Sequence, residues 1–349
     1  MPTSASSLTH PLIRWPDSSN DPVSKLKWGT EMPANTLQTY NVVGNREDLI
    51  DKVFMISPSD TPFTSSIAKT NAEAVYHEWQ TDALRAPNAG NAAVEGADAS
   101  YSAQTPTTRI GNRTQIIQDT FSVSNTQDAV RKAGPKEVAR LAAKKSVELK
   151  KDVEAASLSQ QTSNAGSTSV ARTMRGLAGW IATNWQGGAG GAAPVPSTNT
   201  GPVAGTPAAF TETMLKNALM QAYQAGGNVS QVHMRPSDKM ISSGFAGNAT
   251  RMQEIEGNGK GAILQAAYAV YASDFGNVAM VPNRVLSAQG TPDKAVYAID
   301  PSMWALATLR GFEKTELAQV GDARNWQIVY EGTLEARNEA SSAQIRDLT

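Results

Sequence analysis

The sequence predicts an α+β fold, and three observations carry that expectation. Residues 136 to about 160 are rich in Ala, Lys, Glu, Leu and Val. Within them Val138, Ala142, Leu149, Val153 and Ala156 recur at helical spacing, with charges on the other face. Near the C-terminal end, Trp326, Ile328 and Tyr330 alternate with Gln327, Val329 and Glu331, the period-two pattern of a half-covered strand. Across the whole chain the order is an arm, a hairpin, the long helix, a mixed helix-and-strand stretch and C-terminal strands, with no internal repeat.

Taken in order, residues 1 to about 48 are rich in Ser, Thr, Pro and Asn and bury too little apolar surface to order themselves, so they read as an arm or a tail. Residues 45–56 read as a short helix with Leu49, Ile50, Val53 and Phe54 on one face, ended by the prolines that follow, and residues 63–68 add a turn. Residues 74–80 and 108–124 read as strands joined by a small-residue tip at 84–105. Such a protruding hairpin is expected to gain order only against a partner. Pro135 opens the long helix, where its missing N–H would have no acceptor, and Glu137 suits the positive helix end. At about 1.5 Å per residue this helix spans on the order of 35 Å. Residues 187–207 read as a flexible, Gly-rich surface loop.

A second helix is expected over 211–225, capped by Thr211 and ended by Gly226-Gly227, with Met214, Leu215, Ala218, Leu219, Ala222 and Tyr223 as its buried face. A strand at 229–234, a short helix at 237–243 and strands at 266–273, 278–282, 295–299 and 303–309 follow, with Asp274-Phe275-Gly276-Asn277 as a turn. A last strand covers 324–336.

Composition excludes several function classes. At 349 residues and 40% hydrophobic content, the chain can form two or three compact units. With 31 basic and 32 acidic residues it lacks the basic excess of a dedicated nucleic-acid binder. It has no cysteine, hence no disulfide, thiolate metal site or cysteine nucleophile. No apolar run approaches the roughly 18 residues of a membrane span. Residues 1–14 have no apolar core after a basic start, so cytoplasmic synthesis is expected rather than secretion. His10, His77 and His233 are the only histidines, and no spacing selects a Ser-His-Asp set or a histidine pair for a metal. Asp98, Asp119 and Asp128 do not follow calcium-loop spacing. Gly257-Asn258-Gly259-Lys260-Gly261 fails as a phosphate loop, because Glu254 and Gly261 stand where Gly and Ser or Thr are needed. Glu254 and Glu256 read as solvated. The expectation is no catalytic, cofactor-binding or metal residue, and no cofactor.

A series of short motifs in order carries a resemblance. It runs through Ser57-Pro58-Ser59-Asp60-Thr61-Pro62-Phe63, Tyr76-His77-Glu78-Trp79-Gln80-Thr81-Asp82, Glu95-Gly96-Ala97-Asp98 and Arg109-Ile110-Gly111-Asn112 with Thr114-Gln115. Val123-Ser124 and Thr126-Gln127 then lead into the long helix. Further on come Ser273-Asp274-Phe275-Gly276, Val281-Pro282-Asn283-Arg284, Asp300-Pro301, Leu317-Ala318 with Gly321-Asp322-Ala323, and Leu334-Glu335-Ala336-Arg337-Asn338-Glu339. In these, from about residue 48 onward, the chain resembles the major capsid proteins of tailed double-stranded DNA bacteriophages, of the short-tailed family and the Hong Kong 97 (HK97) fold type.

The resemblance implies an N-terminal arm and short helix over 1–72, an extended hairpin (E-loop) over 73–124 and a peripheral domain with the spine helix over 125–171. It further implies an axial domain over 172–311 and C-terminal peripheral strands over 312–349. It also implies a structural, non-enzymatic protein that self-assembles as pentamers and hexamers into an icosahedral shell around phage DNA, in a virion built in the host cytoplasm. Arm and hairpin then lie on neighbouring copies, whose buried area offsets the cost of ordering them. Expected partners are further copies, a separate scaffolding protein, a portal protein, a possible decoration protein and packaged DNA bound without sequence preference, but no membrane. A Lys–Asn crosslink motif is not found. Trp79, Arg85 and Glu95 are the residues expected at the contact between subunits. An encapsulin-like compartment and a hydrolase are the alternatives.

Overall fold

In the computed structural model, which describes residues 60–349 except 97, 100, 102, 132–133, 246–269, 289–293 and 320, two larger sheets and a two-stranded hairpin are built from one chain. The arm, the helix expected at 45–56, His10, the Gly257–Gly261 turn and the Glu254/Glu256 pair lie outside the described residues.

Pro62 starts a short helix, α1 (Pro62–Ser66), which leads into strand β1 (Ala68–Asn71). The hairpin strands are β2 (Tyr76–Thr81) and β3 (Thr108–Arg113), paired antiparallel from Tyr76↔Arg113 to Thr81↔Thr108. The single strand expected over 108–124 is therefore two. At Thr114 the chain leaves the hairpin, and β4 (Gln115–Ser124) joins a different sheet. Thr114 is fully buried and marks the break: its N–H donates to Val75 O (2.8 Å) and its hydroxyl to Glu331 Oε1 (2.8 Å). An alternating pattern tells which face of a strand is covered, not which strand lies beside it.

Ser124 caps α2 (Asn125–Ala129), accepting from Gln127 N. The long helix is α3 (Glu137–Leu158), close to its expected span, although Pro135 precedes its N-cap Lys136 rather than opening it, and it lies across β4 and the closing strand. Leu149 and Val153 are buried as its pattern foretold, and so is Glu154. The Glu154 carboxylate accepts from the N–H groups of Phe63 (2.9 Å) and Thr64 (2.7 Å) at the start of α1 and from Asn283 Nδ2 (2.8 Å). It thus satisfies donors that a helix start leaves without partners. After α4 (Leu177–Trp180) and β5 (Trp185–Gln186), residues 187–207 are more organised than a plain flexible loop. Bridges Ala192↔Val203 and Val195↔Thr200 close them around a 3₁₀ turn, Pro196–Thr198.

The remaining elements are α5 (Glu212–Gln224), β6 (Gln231–Met234), α6 (Pro236–Ser243), β7 (Val270–Ser273), β8 (Gly276–Pro282) and α7 (Arg284–Ala288). Then come β9 (Val296–Ile299), β10 (Trp304–Leu317), β11 (Ala323–Ala336) and β12 (Ala343–Ile345). Thr211 caps α5 through Met214 N, as its sequence predicts.

One sheet has the order β1-β10-β11-β4 and the other β5-β12-β9-β6-β8-β7. β10 runs through the expected domain boundary at 311/312 without a break. β12, expected among the peripheral strands, instead pairs with β9 and β5 in the six-stranded sheet. Its three residues are too short to show a partner in their pattern.

The largest buried cluster gathers Phe63, Leu158, Leu177, Ile181, Tyr297, Trp304 and Leu334, from α1, α3, α4 and both sheets. A second lies between α5 and the six-stranded sheet, around Leu215, Leu219, Val232, Met280 and Ile345. A third holds α3 on its sheet through Leu149, Phe121, Trp326 and Ile328. Full burial of a Leu or Phe side chain contributes roughly 1.5–3 kcal/mol, so these clusters fix α3 against both sheets and give the hairpin a rigid base.

Candidate assembly surface

The hairpin root is anchored by side chains that reach the far end of β11. Trp79 Nε1 donates to Ala336 O (2.8 Å), and its ring lies 5.6 Å from that of Trp180. Asn112, fully buried, donates to Arg175 O (3.1 Å) and Leu334 O (2.9 Å) and accepts from Arg175 N (2.8 Å). Glu335 accepts from Thr70 Oγ1 (3.0 Å) and Arg337 Nε (2.9 Å), and lies 3.3 Å from His77 Nε2. Burial pushes the Glu335 carboxyl up, but the hydrogen bonds from Arg337, His77 and Thr70 outweigh it and hold the group below its usual value. Next to the root, Glu331 is shared by Thr114, Arg172 and Arg310.

Beyond the ladder the chain changes character. Residues 82–96 and 103–107 have no strand partner and are exposed. Leu84 and Tyr101 are 101% and 97% accessible, and Val94 is also open to solvent. Glu95-Gly96 forms a turn, with Gly96 at φ +80°, a conformation that L side chains avoid.

Under the hairpin and the start of its tip lies an open cleft of about 1650 Å³, walled on the body side by residues 162–165, 196–197, 199 and 336–339. Arg85, Arg109, Arg113, Arg175 and Arg337 line it, with Asp82 and Glu339 as its acids. Arg109 pairs with Glu78, and Arg337 with Glu335. Arg113 lies over the Tyr76 ring (5.1 Å) and Arg175 over that of Trp180 (4.6 Å). The Glu339 carboxylate is taken up by the N–H groups of Ala182 and Thr183 and the Thr183 hydroxyl.

Of the three residues expected at the subunit contact, Trp79 has its partners inside its own subunit. Among the described residues Arg85 donates only to the neighbouring Ala86 O (3.3 Å), and Glu95 sits at the exposed turn. Sequence reasoning missed Arg113, Arg175 and Arg337. They are far apart in the chain, and no local pattern marks residues that only a fold brings to one wall. His77 is at the root, and His233 is buried on β6 with its ring edge-on to Phe63 at 5.8 Å. Among the described residues no group of three or more His, Cys, Asp and Glu could hold a metal, and no helix is long and apolar enough to cross a membrane.

A model of the SU10 major capsid protein family matches residues 32–349. The chain belongs to this family. It is also 26% identical over 346 residues to the major capsid protein of Escherichia phage Phieco32, covering 87% of this chain and 94% of that one. Among solved structures, that of Microbacterium phage Oxtober96 matches with a TM-score of 0.57 at 12% identity, covering 86% of this chain and 96% of that one. The capsid of Myoviridae phage XM1 matches with a TM-score of 0.54 at 10% identity, covering 90% and 100%. At such identities the structures speak for the fold alone, which is HK97-like. As a member of the family the protein is a phage major capsid protein: a structural component of the virion shell, not an enzyme. Neither the encapsulin-like compartment nor the hydrolase is favoured.

Proposed function

We propose that this capsid protein closes an icosahedral shell around phage DNA as pentamers and hexamers, each hairpin lying on a neighbouring copy. The observation that carries this reading is the contrast within one hairpin. Its root is held by Trp79 and Asn112 to the body, while Leu84, Val94 and Tyr101 on its tip are left in water. Apolar side chains carried outward on a rigid base are stabilised once a second surface covers them. The assembly residues narrow to Arg85 and Glu95, since Trp79 serves the root.

The four-stranded sheet with α3 suits the peripheral role, and the six-stranded sheet, including β12, suits the axial role near the five- or six-fold centre. A separate scaffolding protein, a portal protein and a possible decoration protein complete the expected partners, with assembly in the host cytoplasm and weak, sequence-independent contact with DNA. The near-neutral net charge of −1 is consistent with such a lining. Electron micrographs and sedimentation of the purified protein, alone and with its scaffolding partner, test the reading. Closed particles of uniform size are expected; a persistent monomer under both conditions overturns it.

A further inference from the structure

The cleft under the hairpin carries charge that its own subunit leaves uncompensated. Arg85, Arg113 and Arg175 line it, and none has a carboxylate within ion-pair distance among the described residues. Arg175 is 5% exposed, with only Pro196 O (2.9 Å) and Asn199 Oδ1 (2.8 Å) as neutral acceptors, and burial lowers its pKa. A guanidinium in that setting gains from an incoming carboxylate, because charge-assisted bonds are the strong ones. At the other end of the same hairpin the situation is reversed. Glu95 and Asp98 are exposed, and no cation among the described residues pairs with them.

Both halves belong to every copy of a nearly neutral chain, so a repeated contact between copies can pair them all. That contact is heterologous, head of one copy to flank of the next, and such contacts form rings where the rotation between copies closes.

We propose that the arginine-lined cleft of one copy receives the acidic hairpin apex, Glu95 to Asp98, of a neighbouring copy. This rests on the reading that hairpins lie on neighbours, and it names the receiving site. The volume is adequate. About 1650 Å³ accommodates a turn of several small residues, and the apex consists of Val94, Glu95, Gly96, Ala97, Asp98 and Ala99. The apolar part of the apex meets an apolar wall that includes Trp180, Ile110 and Ala336.

Two measurements test the proposal in assembled particles. Charge reversal on the apex (E95K with D98K) or in the cleft (R85E with R113E) is expected to lower particle yield at least tenfold while the subunit stays folded by circular dichroism. The combination of all four is expected to restore yield. Single-sided variants that assemble normally, or a combination that fails to restore yield, overturn the pairing. Because the natural chain has no cysteine, a second variant, A99C with S163C, reports position while keeping the charges. Treating its particles with diamide is expected to link chains to one another on a denaturing gel. A link within single chains, or none, overturns the proposal. Wild-type chain that forms no particles at all speaks instead against the assembly reading itself.

Discussion

Glu331 shows how one side chain can hold several elements. Its carboxylate, almost wholly buried, is shared by Arg172 from the segment before α4, Arg310 from β10 and Thr114 at the strand break. Glu331→Ala is expected to cost about 3–5 kcal/mol in urea denaturation of the soluble subunit, because it leaves Arg172 with a largely buried, unpaired charge. Arg310 is half exposed, and Arg310→Ala is expected to cost at most about 1 kcal/mol by the same measurement. His233 makes a different prediction. Burial pushes its pKa down from 6.5 to about 4, so the folded chain holds it neutral. The unfolded chain takes up a proton as the pH falls below 6.5, and the folded chain does so only near 4. This contribution to stability is therefore full above pH 6.5 and is lost progressively as the pH falls to about 4. At about 1.4 kcal/mol per unit the loss is roughly 3 kcal/mol. Thermal unfolding between pH 4 and 7 is expected to show it in the wild type and not in His233→Phe; equal slopes refute the assignment.

At the scale of the element, α3, α5 and the paired strands β2 and β3 follow from local chemistry. An apolar stripe, a Thr211 cap and β-prone residues around Trp79 are each sufficient to call up their element without distant help. The strand break at Thr114 was not legible, because it is enforced by Val75 and Glu331, both remote in sequence. Strand β1 was missed too: its four residues are held by β10, in parallel register from Ala68↔Ala305. Such short strands exist by virtue of their neighbours, and propensity alone is a weak guide. The hairpin root depends in the same way on tertiary packing. Trp79→Ala removes the bond to Ala336 O and the tilted ring contact with Trp180. It is expected to destabilise the subunit by about 2–4 kcal/mol and to speed amide exchange in β2 and β3 before it affects α5. Unchanged protection in these strands contradicts the anchoring role.

At the scale of the whole molecule, the proposed assembly mode has folding and assembly draw on separate parts of the hairpin. Replacing residues 84–105 by an Asn-Gly turn is expected to leave the melting temperature within a few degrees, since the described side chains of that stretch are exposed, and to abolish particles in sedimentation. A truncated chain that still closes shells removes the tip from the assembly surface. The sequence by itself determined the class of the fold, the two main helices, the presence of a projecting hairpin and the absence of cysteine chemistry. Each of these depends on composition or on a period of two or 3.6 residues, which a linear reading records. The tertiary structure alone decided that Trp79 hydrogen-bonds within its own subunit, that β12 completes the six-stranded sheet, and that five arginines from four segments line one cleft. Those outcomes are set by burial and pairing between residues far apart in the chain, and local patterning carries no information about which distant partner a surface will meet.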